Sequence, residues 1–191
     1  MSSSLAATWN SDFAIDAARQ ISSISSVYCG PASAGWIAAV WNNSKGRNYE
    51  FRKRLDDKNL FPDGPRLFHG MMPGFQFSLS DLLMRETNGE LKLSNEIYFR
   101  ANAIHEILNE SQLPFIIRLI GSNIRNGLHY VVVYRSQLIE NNHQRPTIDF
   151  YRQDNGLFGN DHSGLSRMIV AKSHSFVWGA KRVLQNHPNL V

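Results

Sequence analysis

The spacing of apolar residues changes near residue 112, and that change limits the folds open to this chain. Before it, helical spacing recurs in residues 12–20 (DFAIDAARQ), 29–41 (CGPASAGWIAAVW), 49–60, 78–85 and 100–111 (RANAIHEILNES). After it come short runs rich in β-branched and aromatic residues: 114–119 (PFIIRL), 129–134 (HYVVVY) and 146–151 (PTIDFY). Turn signals at Gly121-Ser122-Asn123 and Asn141-Asn142-His143-Gln144 separate these runs, and residues 173–183 supply a further strand. Helices first and an antiparallel sheet second make an α+β fold.

Local signals refine the reading. Asp12 is expected to cap the first helix, with Phe13, Ile15 and Ala17 among its apolar positions. Pro31 suits the first turn of the second helix, where a missing N–H costs nothing, and Asn42 to Gly46 ends that helix. Ser78 or Ser80 is expected to cap the helix of 78–85. Residues 61–74 hold Pro62, Gly64, Pro65, Gly70, Pro73 and Gly74, and read as a loop. Residues 1–11 are expected to stand outside the ordered domain. The 191 residues otherwise form a single domain with enough apolar content for an ordinary core. The tryptophans at 9, 36, 41 and 178 are expected in packing roles.

Composition excludes several functions. The longest apolar run, residues 114–121, is far shorter than the roughly 20 residues of a membrane span and contains Arg118. The formal charge of +4 comes from basic residues interleaved with acids, as in Arg52-Lys53-Arg54-Leu55-Asp56-Asp57-Lys58. Such a run is a solvated face, with no aromatic-interleaved pattern for nucleic acid. One cysteine allows neither an internal disulfide nor a multi-thiolate metal site. No HExxH spacing and no phosphate-binding loop is present, so no cofactor or metal is expected. The N-terminus lacks the basic and apolar segments of a secretory signal, which leaves a cytoplasmic protein or one exported by a specialised system.

A lone cysteine is most often a small buried hydrophobe, so the surroundings of Cys29 decide its role. Cys29-Gly30-Pro31-Ala32-Ser33 places the thiol where a helix starts, and unpaired N–H groups and the helix dipole favour a thiolate there. Gly30 is expected to let a substrate backbone approach, and the Cys29 N–H to face a developing oxyanion. A base must come from another element. His129 opens a strand after the turn at Arg125-Asn126-Gly127-Leu128, whereas His69, His105, His143, His162, His174 and His187 sit in less suitable places.

The helix-opening Cys29 followed by the His129-aromatic strand (CGPAS, then HYVVV) resembles the papain-like cysteine peptidase superfamily. It is most similar there to bacteriocin leader peptidases of peptide-exporting transporters and to phytochelatin synthases. The likeness covers two motifs and their order, within residues 20–160. It implies a helical N-terminal part whose nucleophile helix packs on a C-terminal antiparallel sheet. It implies Cys29 as nucleophile, His129 as base, and an acidic residue after the next strand to orient the base. Asp154 holds that place, with Asp149 its competitor in mid-strand. The family's oxyanion glutamine belongs six residues before the cysteine, where this chain has Ser23. Gln20, nine residues before, is the substitute candidate.

The expected activity is a peptidase or amidase acting on a peptide, protein or peptidoglycan peptide, or an acyl transferase using the same residues. Small size, charge and the absent signal suit a bacterial effector or toxin, whose partners would include a secretion system and a cognate inhibitor. The contrasting expectation is an inactive binding or adaptor domain, motivated by Ser23.

Overall fold

The computed structural model describes residues 5–22, 29–49, 76–94, 100–119, 129–140, 146–153, 163–169 and 177–183. Five helices precede or interrupt six strands among these residues: α1 (Leu5–Thr8), α2 (Asp12–Ser22), α3 (Cys29–Ser44), α4 (Gln76–Glu86), β1 (Leu91–Leu93), α5 (Ala101–Ser111), β2 (Phe115–Leu119), β3 (His129–Ile139), β4 (Thr147–Gln153), β5 (Ser163–Ile169) and β6 (Val177–Arg182). The strands form one antiparallel sheet in the order β1-β6-β2-β3-β4-β5. The fold is α+β.

Strand alternation divides the core in two. Ile116, Val132 and Ala180 face a cluster built from α2, α3, α4 and β1. Phe115, Ile117, Val131, Val133 and Ile148 face the other way, under Ala101, Ile104 and Leu108 of α5. The sheet is therefore covered on both faces, and α3 packs on β2 and β3.

The central helix is α3. Every residue from Ala32 to Asn42 is buried, the pattern of a helix enclosed on all sides rather than laid on a surface. Its alanines let neighbours approach closely, and its tryptophans fasten them. Trp36 is fully buried and donates its indole N–H to the Ala14 carbonyl of α2 at 2.8 Å. Asn42 donates to the Glu86 carbonyl of α4 at 2.7 Å as well as to its own helix at Ala38. Trp41 donates to the Glu90 carboxylate, and its ring lies beneath Lys45 at 4.8 Å and Arg182 of β6 at 5.6 Å. Gly46, at φ +69°, turns the chain away after the helix.

Several local expectations need correction. Ser11, not Asp12, caps α2: its Oγ accepts from the Ala14 N–H at 3.2 Å, three residues on, the usual N-cap span. The buried face of α2 is Ala14, Ala17 and Ala18, while Phe13 and Ile15 are exposed, because small residues fit the close α2–α3 packing. Helix α4 begins at Gln76, so Ser78 and Ser80 are interior; Ser80 Oγ instead accepts from Leu93 N–H at 3.0 Å and ties α4 to β1. Residues 5–11 belong to the ordered domain, since Trp9 is buried and donates to the Gln112 carbonyl at 2.9 Å. Tyr49 is not helical. The remainder of the expected 49–60 helix and the 61–74 loop lie outside the described residues.

Candidate active site

Cys29 is the first residue of α3, and His129 is the first of β3, opposite Leu119 at the end of β2. Gln20 lies in the last turn of α2. Of these three the backbone alone is described, and Asp154 lies outside the described residues.

Register and packing together give the direction of α3 relative to the sheet. Val133, Phe115 and Gly179 stand side by side on β3, β2 and β6. Trp36 meets Tyr134, one residue beyond that line on β3, with ring centroids 6.1 Å apart. Five residues later Trp41 reaches Arg182 and Glu90, at the β6–β1 corner, three to four residues beyond the same line. Followed backwards, α3 runs from that corner across β3 and aims its N-terminus at the opposite end of the sheet. There β2 finishes, β3 begins and β4 finishes. Cys29 lies seven residues before Trp36, about 10 Å along the axis.

The β3–β4 ladder sets one of the two acidic candidates apart by distance. Asp149 pairs with Gln137, eight residues along β3 from His129; at about 3.4 Å per residue that is about 27 Å, beyond any side-chain contact. Asp149 is also buried and engaged with other groups of the protein. Gln153, the last residue of β4, pairs with Val132, three residues from His129. A register shift between Val133 and Arg135 brings this about by adding one unpaired residue, Tyr134, to β3.

Gly30 is buried, at odds with open access for a substrate backbone above it.

A second His-bearing cluster was not anticipated. His105 of α5 places Nδ1 2.7 Å from the Ser136 Oγ of β3, and Asn109 Nδ2 lies 3.1 Å from Nε2. Ser136 is buried, and α5 lies on the sheet face opposite α3, so His105 cannot serve Cys29. The two residues are far apart in sequence, and no spacing rule announces the pair.

Among the described residues no helix is long and apolar enough to cross a membrane, and no group of three His, Cys, Asp or Glu side chains is placed to hold a metal ion. Three of the expected tryptophans, Trp9, Trp36 and Trp41, are core residues. In comparisons with known proteins, no family model, curated protein or solved structure matches this chain.

Proposed function

We propose that the chain is a papain-like cysteine peptidase or amidase whose nucleophile is Cys29, with His129 as base and Asp154 as the residue that orients it. The observation that carries this reading is directional: the N-terminus of α3 is aimed at the sheet end where β3 opens and β4 closes. The helix itself supports a thiolate, because sixteen residues of aligned peptide dipoles end at Cys29. Pro31 contributes no N–H to that terminus, which leaves the N–H groups of Cys29, Gly30 and Ala32 as the oxyanion donors on α3. Gln20 is the donor from α2.

In the reaction, His129 takes the Cys29 proton and the thiolate sulfur attacks the carbonyl carbon of an amide. The tetrahedral intermediate collapses as His129 returns the proton to the leaving amine, and a thioester remains. Water then adds, releasing a carboxylic acid and the thiol. An amine in place of water makes the same site an acyl transferase. The substrate class is a peptide, a protein or a peptidoglycan peptide. Such an activity suits an exported effector or toxin that requires a secretion system and a cognate inhibitor.

The burial of Gly30 favours a second reading, a binding domain without catalysis.

Incubation with a peptide library, followed by mass spectrometry, separates these readings. The enzyme produces new termini, or new amides when an amine is supplied, and Cys29→Ala abolishes both. Products that persist undiminished in Cys29→Ala, or no product from the wild type, would sink the proposal.

A further inference from the structure

We infer that Trp36 is the positioning residue of this site, holding the three elements that carry Gln20, Cys29 and His129 in one arrangement. The inference rests on the reading of Cys29 and His129 as nucleophile and base.

Trp36 is fully buried and meets each of those elements through a different part of its side chain. It belongs to α3 and lies two turns from Cys29. Its indole N–H donates to the Ala14 carbonyl of α2 at 2.8 Å, six residues before Gln20. Its ring meets the Tyr134 ring of β3, with centroids 6.1 Å apart and planes tilted by 46°. Tyr134 is the unpaired residue at the β3 register shift, five residues after His129. The contact therefore falls on the residue whose insertion sets how far the end of β4 reaches toward His129.

Trp9 supplies the comparison. Its ring meets Trp36 at 5.8 Å and is equally buried, but its N–H goes to the Gln112 carbonyl, ahead of β2. It braces the core without joining the elements of the site. A rigid tryptophan is well suited to the positioning role, because sites are held by side chains whose own rotamers are locked by packing.

The test is the pH profile of Cys29 alkylation by iodoacetamide in wild type, Trp36→Phe, Tyr134→Leu and Trp9→Phe, with thermal melting of each. Trp36→Phe keeps an aromatic ring, though a smaller one, and loses the bond to α2. Tyr134→Leu, at a half-buried position, loosens the β3 contact and serves if Trp36→Phe fails to fold. The expected result is alkylation near pH 6 slowed on the order of tenfold in both, as displacement of reacting groups implies. Trp9→Phe lowers the melting temperature and leaves the profile at wild type. A His129-dependent wild-type profile that neither variant moves, or that Trp9→Phe moves equally, overturns the positioning role alone. A wild-type thiol that titrates ordinarily and ignores His129 overturns the site, and this inference with it.

Discussion

Gln153 stands directly across from Val132, three residues along β3 from His129, whereas Asp149 stands across from Gln137. The end of β4 at Gln153 thus lies near the opening of β3, while Asp149 is held about 27 Å away along the strand. Asp154→Asn is expected to slow peptide turnover at least about tenfold, because a base that loses its orienting partner also loses its tautomer and direction. Asp149→Asn should leave turnover unchanged. It should cost about 1–3 kcal/mol of stability, measured by denaturant unfolding, because a buried polar side chain engaged with other groups is altered.

The Glu90 carboxylate gives a pH signature remote from the site. Its hydrogen bond from Arg47, at 2.6 Å, is the main reason that its pKa lies below the ordinary value, with a further bond from Trp41 acting in the same direction. Burial opposes both. A depressed folded pKa adds stability above the unfolded pKa, and that stability is lost as pH falls through the folded value. Glu90→Gln should therefore lower the melting temperature by a few degrees at pH 7. The difference from wild type should close in acid, below the folded pKa of Glu90.

Ser136 and His105 join β3 to α5 on the face away from α3. Ser136→Ala leaves His105 Nδ1 without this hydrogen-bond partner in a partly buried place, at a cost of about 1–3 kcal/mol. Cys29 alkylation should keep its wild-type pH profile in this variant. A changed profile would mean that the two faces of the sheet are coupled.

Gly179 sits against the Phe115 ring, which lies 2.8 Å from where a Cβ would stand. Gly179→Ala forces that ring from its place between β2 and β6, and overpacking of this kind costs about 1–3 kcal/mol. Thermal unfolding checks it, with Ala180→Gly as the neighbouring control.

The sequence is most legible where one signal acts alone. The run from Cys29 to Trp41 has helix-forming alanines and an N-terminal proline, a glycine follows at 46, and the run is helical in the structure. The strands at β2, β3 and β4 announce themselves by β-branched and aromatic residues. By contrast, β1 (LKL) and β5 (SGLSRMI) carry weak propensity and exist through pairing with β6 and β4. The polar second half of β3, Arg135 to Ile139, is likewise extended by its partner β4. No periodicity tells on which face of the sheet α5 lies, or that Tyr134 is the extra residue on β3. The residue types and order of the candidate site are readable directly. The distance of Asp149 from His129 is a matter of register, which pairing across two strands determines.

The pH-dependence of Cys29 alkylation by iodoacetamide, in wild type and in His129→Ala, tests the central claim most directly. A thiolate at the α3 terminus paired with His129 predicts rapid labelling below about pH 7, slowed by the substitution, against a pKa near 8.5 for an unperturbed cysteine. Slow labelling with that ordinary pKa in both proteins would contradict the account and leave Cys29 a structural residue of a binding domain.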